Sequence, residues 1–294
     1  MCFLERQWID MGTTRTDLAV ESLENLKKAK NFSSLAGVAV QESVRCGFPV
    51  TAVAVTDEVG AQAIGKPVGR YATVDLRPYF RREEEFFRRG CRCLSIELRN
   101  LLPSHLERGV LVAGLGNRAM TADAIGPLAL ENLLVTRHMV RRQPQQFRHF
   151  TPVAAVATGV LAATGMETLE HLRGAVETLQ PAAVIAIDAL AARERTRLCA
   201  TVQMGNTGLV PGSGVGNHRK AVNAETLGVP VIALGVPTVI EVSLLGGAQD
   251  GEALFVTPRD IDAKVRELSR LIGYSITLAL QEGLTVEDIT GLIG

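Results

Sequence analysis

From Val110 onward the chain alternates short, continuous apolar runs with helix-forming text, and this alternation constrains the fold more than any other feature. The runs are Val110–Ala113, Val153–Val156, Val184–Ile187 and Val231–Leu234. None alternates apolar with polar residues. That pattern suits parallel strands buried on both faces rather than strands with one wet face. Between and after them lie helical stretches, expected over Ala124–Leu134, Gly165–Leu179 and Ile261–Gln281. Strands alternating with helices imply right-handed crossovers, so the expected architecture is an α/β fold: a three-layer α/β/α sandwich with a mostly parallel sheet.

The first hundred residues read differently. Helix-like text runs from Leu18 to Lys30, and strands are expected at "GVAVQESV", at Phe48–Thr56 and at "VGRYATVDL". "RREEEFFRRG" (Arg81–Gly90) opens a charged helix running toward Leu102, read as a solvated face with ion pairs one turn apart. "LLGGAQDGEAL" (Leu244–Leu254) reads as a loop. No internal repeat or low-complexity linker interrupts the chain, so residues 18–294 are expected to form one domain.

Lys plus Arg equals Asp plus Glu, at 31 each among 294 residues. A neutral chain lacks the basic excess of a general nucleic-acid or anionic-membrane binder. It also raises little electrostatic barrier to self-association. Glu5, Arg6 and Asp10 break up any signal-peptide core, and no apolar run is long enough for a membrane span. Five cysteines form no framework pattern, which suits a reducing, cytoplasmic setting. Cys91 and Cys93, with one residue between them and no second pair, make a poor zinc site.

Two stretches put an acid just beyond an apolar strand: "VLVAGLGNRAMTADAIGP" (Val110–Pro127), with Asp123, and "VIAIDALAAR" (Val184–Arg193), with Asp188. Helix-forming residues follow both. In open α/β sheets, ligands and catalysis lie beyond the carboxyl ends of the strands, so neighbouring strands would bring both carboxylates into one crevice. Two facing carboxyls cannot both ionise freely. The charged one then activates water and the protonated one polarises a carbonyl, which is general acid–base amide hydrolysis. The bland alternative makes both aspartates N-caps, and on spacing alone that is the commoner use.

Two glycine-rich stretches mimic nucleotide motifs. "GLGNRA" (Gly114–Ala119) follows a strand as a dinucleotide fingerprint would, but no acid ends a strand some 20 residues on. "PGSGVGNHRK" (Pro211–Lys220) lacks the Gly-Lys-Ser/Thr of a phosphate loop. Two readings of it stay open. It is a plain connection, or its Gly212, Ser213, Gly214, Gly216, Asn217 and His218 offer backbone donors beside the crevice to a peptide or an oxyanion.

With these motifs stand "RTDLAVES" (Arg15–Ser22), "GKPVGRYATVDL", "LLVTRHM", "ETLGVPVIALGVPTVI" (Glu225–Ile240) and "VTPRDID" (Val256–Asp262). As an ordered set covering most of the chain, they resemble the germination protease family of spore-forming bacteria. The resemblance implies a cytoplasmic, spore-core zymogen of atypical aspartic type. It would degrade small acid-soluble DNA-coating spore proteins at germination, and would work as a homotetramer without metal or other cofactor. Asp123 and Asp188 match the family's functional aspartates. Residues 1–17 match its pro-segment, cut at Asp17–Leu18, with Trp8 and Ile9 as the apolar anchors within it. The fold implied resembles the hydrogenase-maturation endopeptidases, whose glycine-rich loop is echoed by Gly114, Gly116, Asn117, Asp123 and Gly126, with Thr121 inside it.

The chain departs from the family in a shortened loop after Ile240, in Glu241 where aspartate is frequent, and in Asn206 and Val210. Two rival functions follow from the same fold. One is a metal-dependent maturation endopeptidase, which would need a histidine beside the two carboxylates. Among His105, His138, His149, His171 and His218, only His218 sits in a suitable loop. The other is a non-catalytic binding protein.

Overall fold

A computed structural model describes residues 16–22, 24, 36–213, 219–242 and 254–293. The strands are β1 (Val38–Arg45), β2 (Phe48–Val55), β3 (Gly69–Asp75), β4 (Val110–Leu115), β5 (Val153–Gly159), β6 (Ala183–Ala192), β7 (Thr201–Gly205), β8 (Val231–Val242) and β9 (Leu254–Val256). They form one sheet in the order β1-β2-β3-β7-β8-β6-β4-β5, with β9 on β8. β5, β4, β6 and β8 are mutually parallel. β7, β3, β2 and β1 extend the sheet through antiparallel pairs.

The apolar runs are strands because both of their faces are covered. Along β4, Val110 and Val112 enter one core while Leu111, Ala113 and Leu115 enter the other. Along β6, Ala183, Ile185 and Ile187 face the first core, and Val184 and Ala186 the second. The larger core is closed by helices α2 (Phe86–Arg99), α3 (Ile125–Leu130), α6 (Ile261–Leu280) and α7 (Val286–Ile293). The smaller is closed by α4 (Thr168–Leu179) and α5 (Ala224–Leu227). These are the expected three layers. Helix α1 (Glu58–Ile64) packs Ile64 on Val53, Val55 and Tyr71 of the antiparallel flank, where Ala19 joins them. Among the described residues, no helix is long and apolar enough to cross a membrane.

Three expectations change. No helix follows Asp188: β6 continues to Ala192, because β8 runs alongside and pairs Ala191 with Val239 and Ala192 with Ile240. Backbone pairing therefore overrides the helix propensity of "ALAAR". The helix expected over Ala124–Leu134 ends at Leu130, and the one expected from Arg81 starts at Phe86, after a short 3-10 turn at Tyr79–Arg81. Cys91 and Cys93 are buried in the larger core, where burial pushes both thiols up to about 12, so they behave as small apolar side chains.

Candidate active site

Pairing between β4 and β6 ends at Gly114↔Ile187, whereas β6 stays paired with β8. Asp188 is the first residue of β6 beyond that last rung. There β4 turns away, and a crevice of about 830 Å³ opens at the carboxyl ends of the parallel strands. Asp123 lines the same crevice. The structure thus brings together the two acids that the sequence separates.

Asp123 arrives on a 3-10 turn, Thr121–Asp123, between β4 and α3. The glycines of the motif are what let this turn lie flat on the sheet. Gly116 has φ +101°, and a side chain there would run into the Asp123 carbonyl oxygen at 2.1 Å. At Gly126 a Cβ would meet the carbonyl oxygens of Leu115 and Ile187, at 2.3 and 2.6 Å. At Gly114 it would meet Gly126 itself. The three glycines therefore serve close backbone approach, not phosphate binding. Asn117 donates its backbone N–H to Asp123 Oδ2 at 2.7 Å, while its side chain accepts from Ala119 N and so shapes the loop. Thr121 does not line the crevice; its hydroxyl donates to Asp262 at the start of α6. Thr238, which the sequence did not single out, is fully buried on β8 and donates to the Ala122 carbonyl at 2.6 Å, tying the turn to the sheet.

Neither aspartate caps a helix. The N-cap of α3 is Ala124, with no side-chain cap bond, and Asp188 lies inside a strand. Asp188 is buried and accepts from the Ala189 N–H. Burial, then the nearby Asp123 charge, holds its carboxyl well above the ordinary value, with Asp17 adding to the effect. Burial also raises Asp123, against the Asn117 N–H and the positive charge of Arg219. Both environments push toward a pair that holds a proton.

The chain's own Thr16 and Asp17 form part of the crevice wall. Asp17 donates its N–H to the Ala191 carbonyl at 3.1 Å and takes the Ala191 N–H on its own carboxylate at 2.9 Å. Ser213 holds the other carboxylate oxygen at 2.9 Å, and the Asp17 carbonyl accepts from Lys66 and Gln203. Leu18 and Val20 then bury themselves against Ala192. Glu21, almost wholly enclosed, accepts the N–H groups of Arg193 and Glu194. Lys66, Gln203 and Glu21 went unnoticed in the sequence, where an isolated lysine, glutamine or glutamate carries no spacing signal.

Of the glycine-rich loop, Gly212 and Ser213 line the crevice. Gly214, Gly216, Asn217 and His218 lie outside the described residues, as do Trp8, Ile9 and most of the Leu244–Leu254 loop. His105, His138, His149 and His171 do not line the crevice. Among the described residues, no cluster of three or more His, Cys, Asp or Glu side chains could hold a metal ion.

The germination protease family model matches residues 14–250. A germination protease of Clostridium perfringens is 38% identical, over 95% of this chain and 98% of its own length. One of Priestia megaterium is 39% identical, over 94% of this chain and 77% of its own. Among solved structures, a NiFe hydrogenase maturation protease of Thermococcus kodakarensis is similar over 61% of this chain and 98% of its own, at 16% identity and a TM-score of 0.36. With a family model spanning most of its length and such relatives beside it, the chain belongs to the germination protease family and is a peptidase.

Proposed function

We propose that this chain is a zymogen endopeptidase of atypical aspartic type that degrades small acid-soluble, DNA-coating spore proteins during germination, with Asp123 and Asp188 as its catalytic pair. The observation that carries this reading is that Asp17, an acidic residue followed by the apolar Leu18, lines the crevice together with both aspartates. Asp123, with a backbone N–H on its carboxylate, is suited to stay charged and take a proton from water. Asp188, more deeply buried, is suited to carry the proton that the leaving amide nitrogen needs. Residues 1–17 act as the pro-segment, and its release at Asp17–Leu18 empties the crevice for a substrate of the same acid-then-apolar pattern.

The reading places the protein in the cytoplasm of the spore core, with no cofactor and no direct contact with nucleic acid or membrane. Its neutral charge suits the homotetramer that the resemblance implies, which light scattering at micromolar concentration would read as four chain masses. The function is tested by incubating the self-processed protein with a purified small acid-soluble spore protein and mapping the cuts by mass spectrometry. The expected result is a few discrete cuts after acidic residues that precede apolar ones. An intact substrate would overturn the assignment.

A further inference from the structure

The Asp17 carbonyl is held in an unusual way for a chain segment lying along a strand. Its oxygen accepts from two side chains of separate elements, Lys66 Nζ at 2.9 Å and Gln203 Nε2 at 2.9 Å. Lys66 follows α1 and Gln203 stands on β7, and both line the crevice with the aspartates. The other end of the Gln203 amide accepts the Ala19 N–H at 2.5 Å. One side chain thus spans Leu18 and fixes the register of the Asp17–Leu18 bond. The Asp17 carboxylate is meanwhile occupied by Ala191 N–H and Ser213, which leaves the carbonyl as the group that Lys66 and Gln203 address.

We propose that Lys66 and Gln203 are catalytic residues that form the oxyanion site of this peptidase, gripping the carbonyl oxygen of the bond to be cut. The inference rests on the reading of Asp17–Leu18 as that bond. When water attacks the Asp17 carbonyl carbon, a C–O bond forms and the C=O electron pair moves onto oxygen. The water proton passes to the Asp123 carboxylate. The new oxyanion sits between an ammonium and an amide N–H, which are already in place and need no reorganisation. On collapse the C–N bond breaks, the Leu18 nitrogen takes the proton of Asp188, and the products are the Asp17 carboxyl and the Leu18 amine. The aspartate pair ends with one proton, as it began. Burial lowers the Lys66 pKa, while the charges of Asp17 and Glu21 oppose that shift and favour the ammonium. A desolvated cation acts on a developing oxyanion more strongly than a hydrated one.

The experiment uses the full-length chain and follows its first-order self-processing at Asp17–Leu18 by intact mass. Wild type is compared with Lys66→Met, Lys66→Arg and Gln203→Met. Docking of the segment is read separately, as hydrogen-exchange protection of the Asp17 amide, with each substitution also placed in an Asp188→Asn background that cannot cut. Lys66→Met and Gln203→Met are expected to slow processing roughly 100-fold or more, the scale for losing one oxyanion donor. Lys66→Arg is expected to recover part of the rate. Asp17 protection is expected to stay within about threefold of the parent, well inside that loss. A wild-type rate in Lys66→Met would overturn the proposal. So would a slow rate matched by lost protection, which would make Lys66 only an anchor for the segment. Asp188→Asn alone separates the two levels of the account. If it processes at the wild-type rate, the aspartate reading fails. If it is inert while Lys66→Met is fast, only the oxyanion site fails.

Discussion

Asp188 is kept in an environment that disfavours its charge, and that has a consequence for stability. Its folded pKa is raised by burial and by Asp123, so the folded state binds its proton more tightly than the unfolded chain does. The stability this contributes is fully present below the ordinary carboxyl value of 3.8 and is lost as pH rises through the folded pKa. Asp188→Asn removes that loss. The variant is expected to melt higher than wild type at pH 7 to 8, with the gap closing as pH falls toward 4, as thermal melts at a series of pH values would read. A gap that stays constant with pH would mean that Asp188 titrates normally. The placement of both aspartates beyond apolar runs was legible in the sequence, but spacing alone suited helix caps as well, and only the family resemblance singled them out as a pair. Lys66, Gln203 and Thr238 were not legible, because their partners come from elements far away in the chain and nothing local marks them.

At the scale of elements, the turn that carries Asp123 depends on backbone lying against backbone. Gly126, at the start of α3, touches the carbonyls of Leu115 on β4 and Ile187 on β6. Gly126→Ala would drive a methyl group into two main-chain oxygens that cannot swing aside. It should cost about 1–3 kcal/mol or more of stability and lift Asp123 away from Asp188. The check is a chemical melt together with the processing rate, and both should fall. An alanine variant that is as stable and as fast as wild type would contradict the close packing seen here. The strands buried on both faces were legible, since unbroken apolar runs have few other uses. The extension of β6 past Asp188 was not, because "ALAAR" is helix-forming text and only its pairing with β8 makes it a strand. β7 was missed for a related reason: "TVQMG" is short and polar at its centre, and its pairing with β3 and β8 is invisible locally.

For the molecule as a whole, the sheet supplies a crevice, and Thr16 and Asp17 line it beside the two aspartates. Asp17 and Glu21 are held by main-chain groups of β6 and the loop beyond it, and Asp17 also by the side chains of Lys66, Gln203 and Ser213. Lower pH favours the singly protonated aspartate pair, so self-processing should accelerate as pH falls from about 7.5 to about 6. The most direct test of the central claim is the intact mass and N-terminal sequence of purified wild-type, Asp123→Asn and Asp188→Asn chains held across that range. The account predicts a new N-terminus at Leu18 in wild type, appearing faster at the lower pH, and none in either variant. The same cut arising in purified Asp188→Asn at the wild-type rate would contradict it.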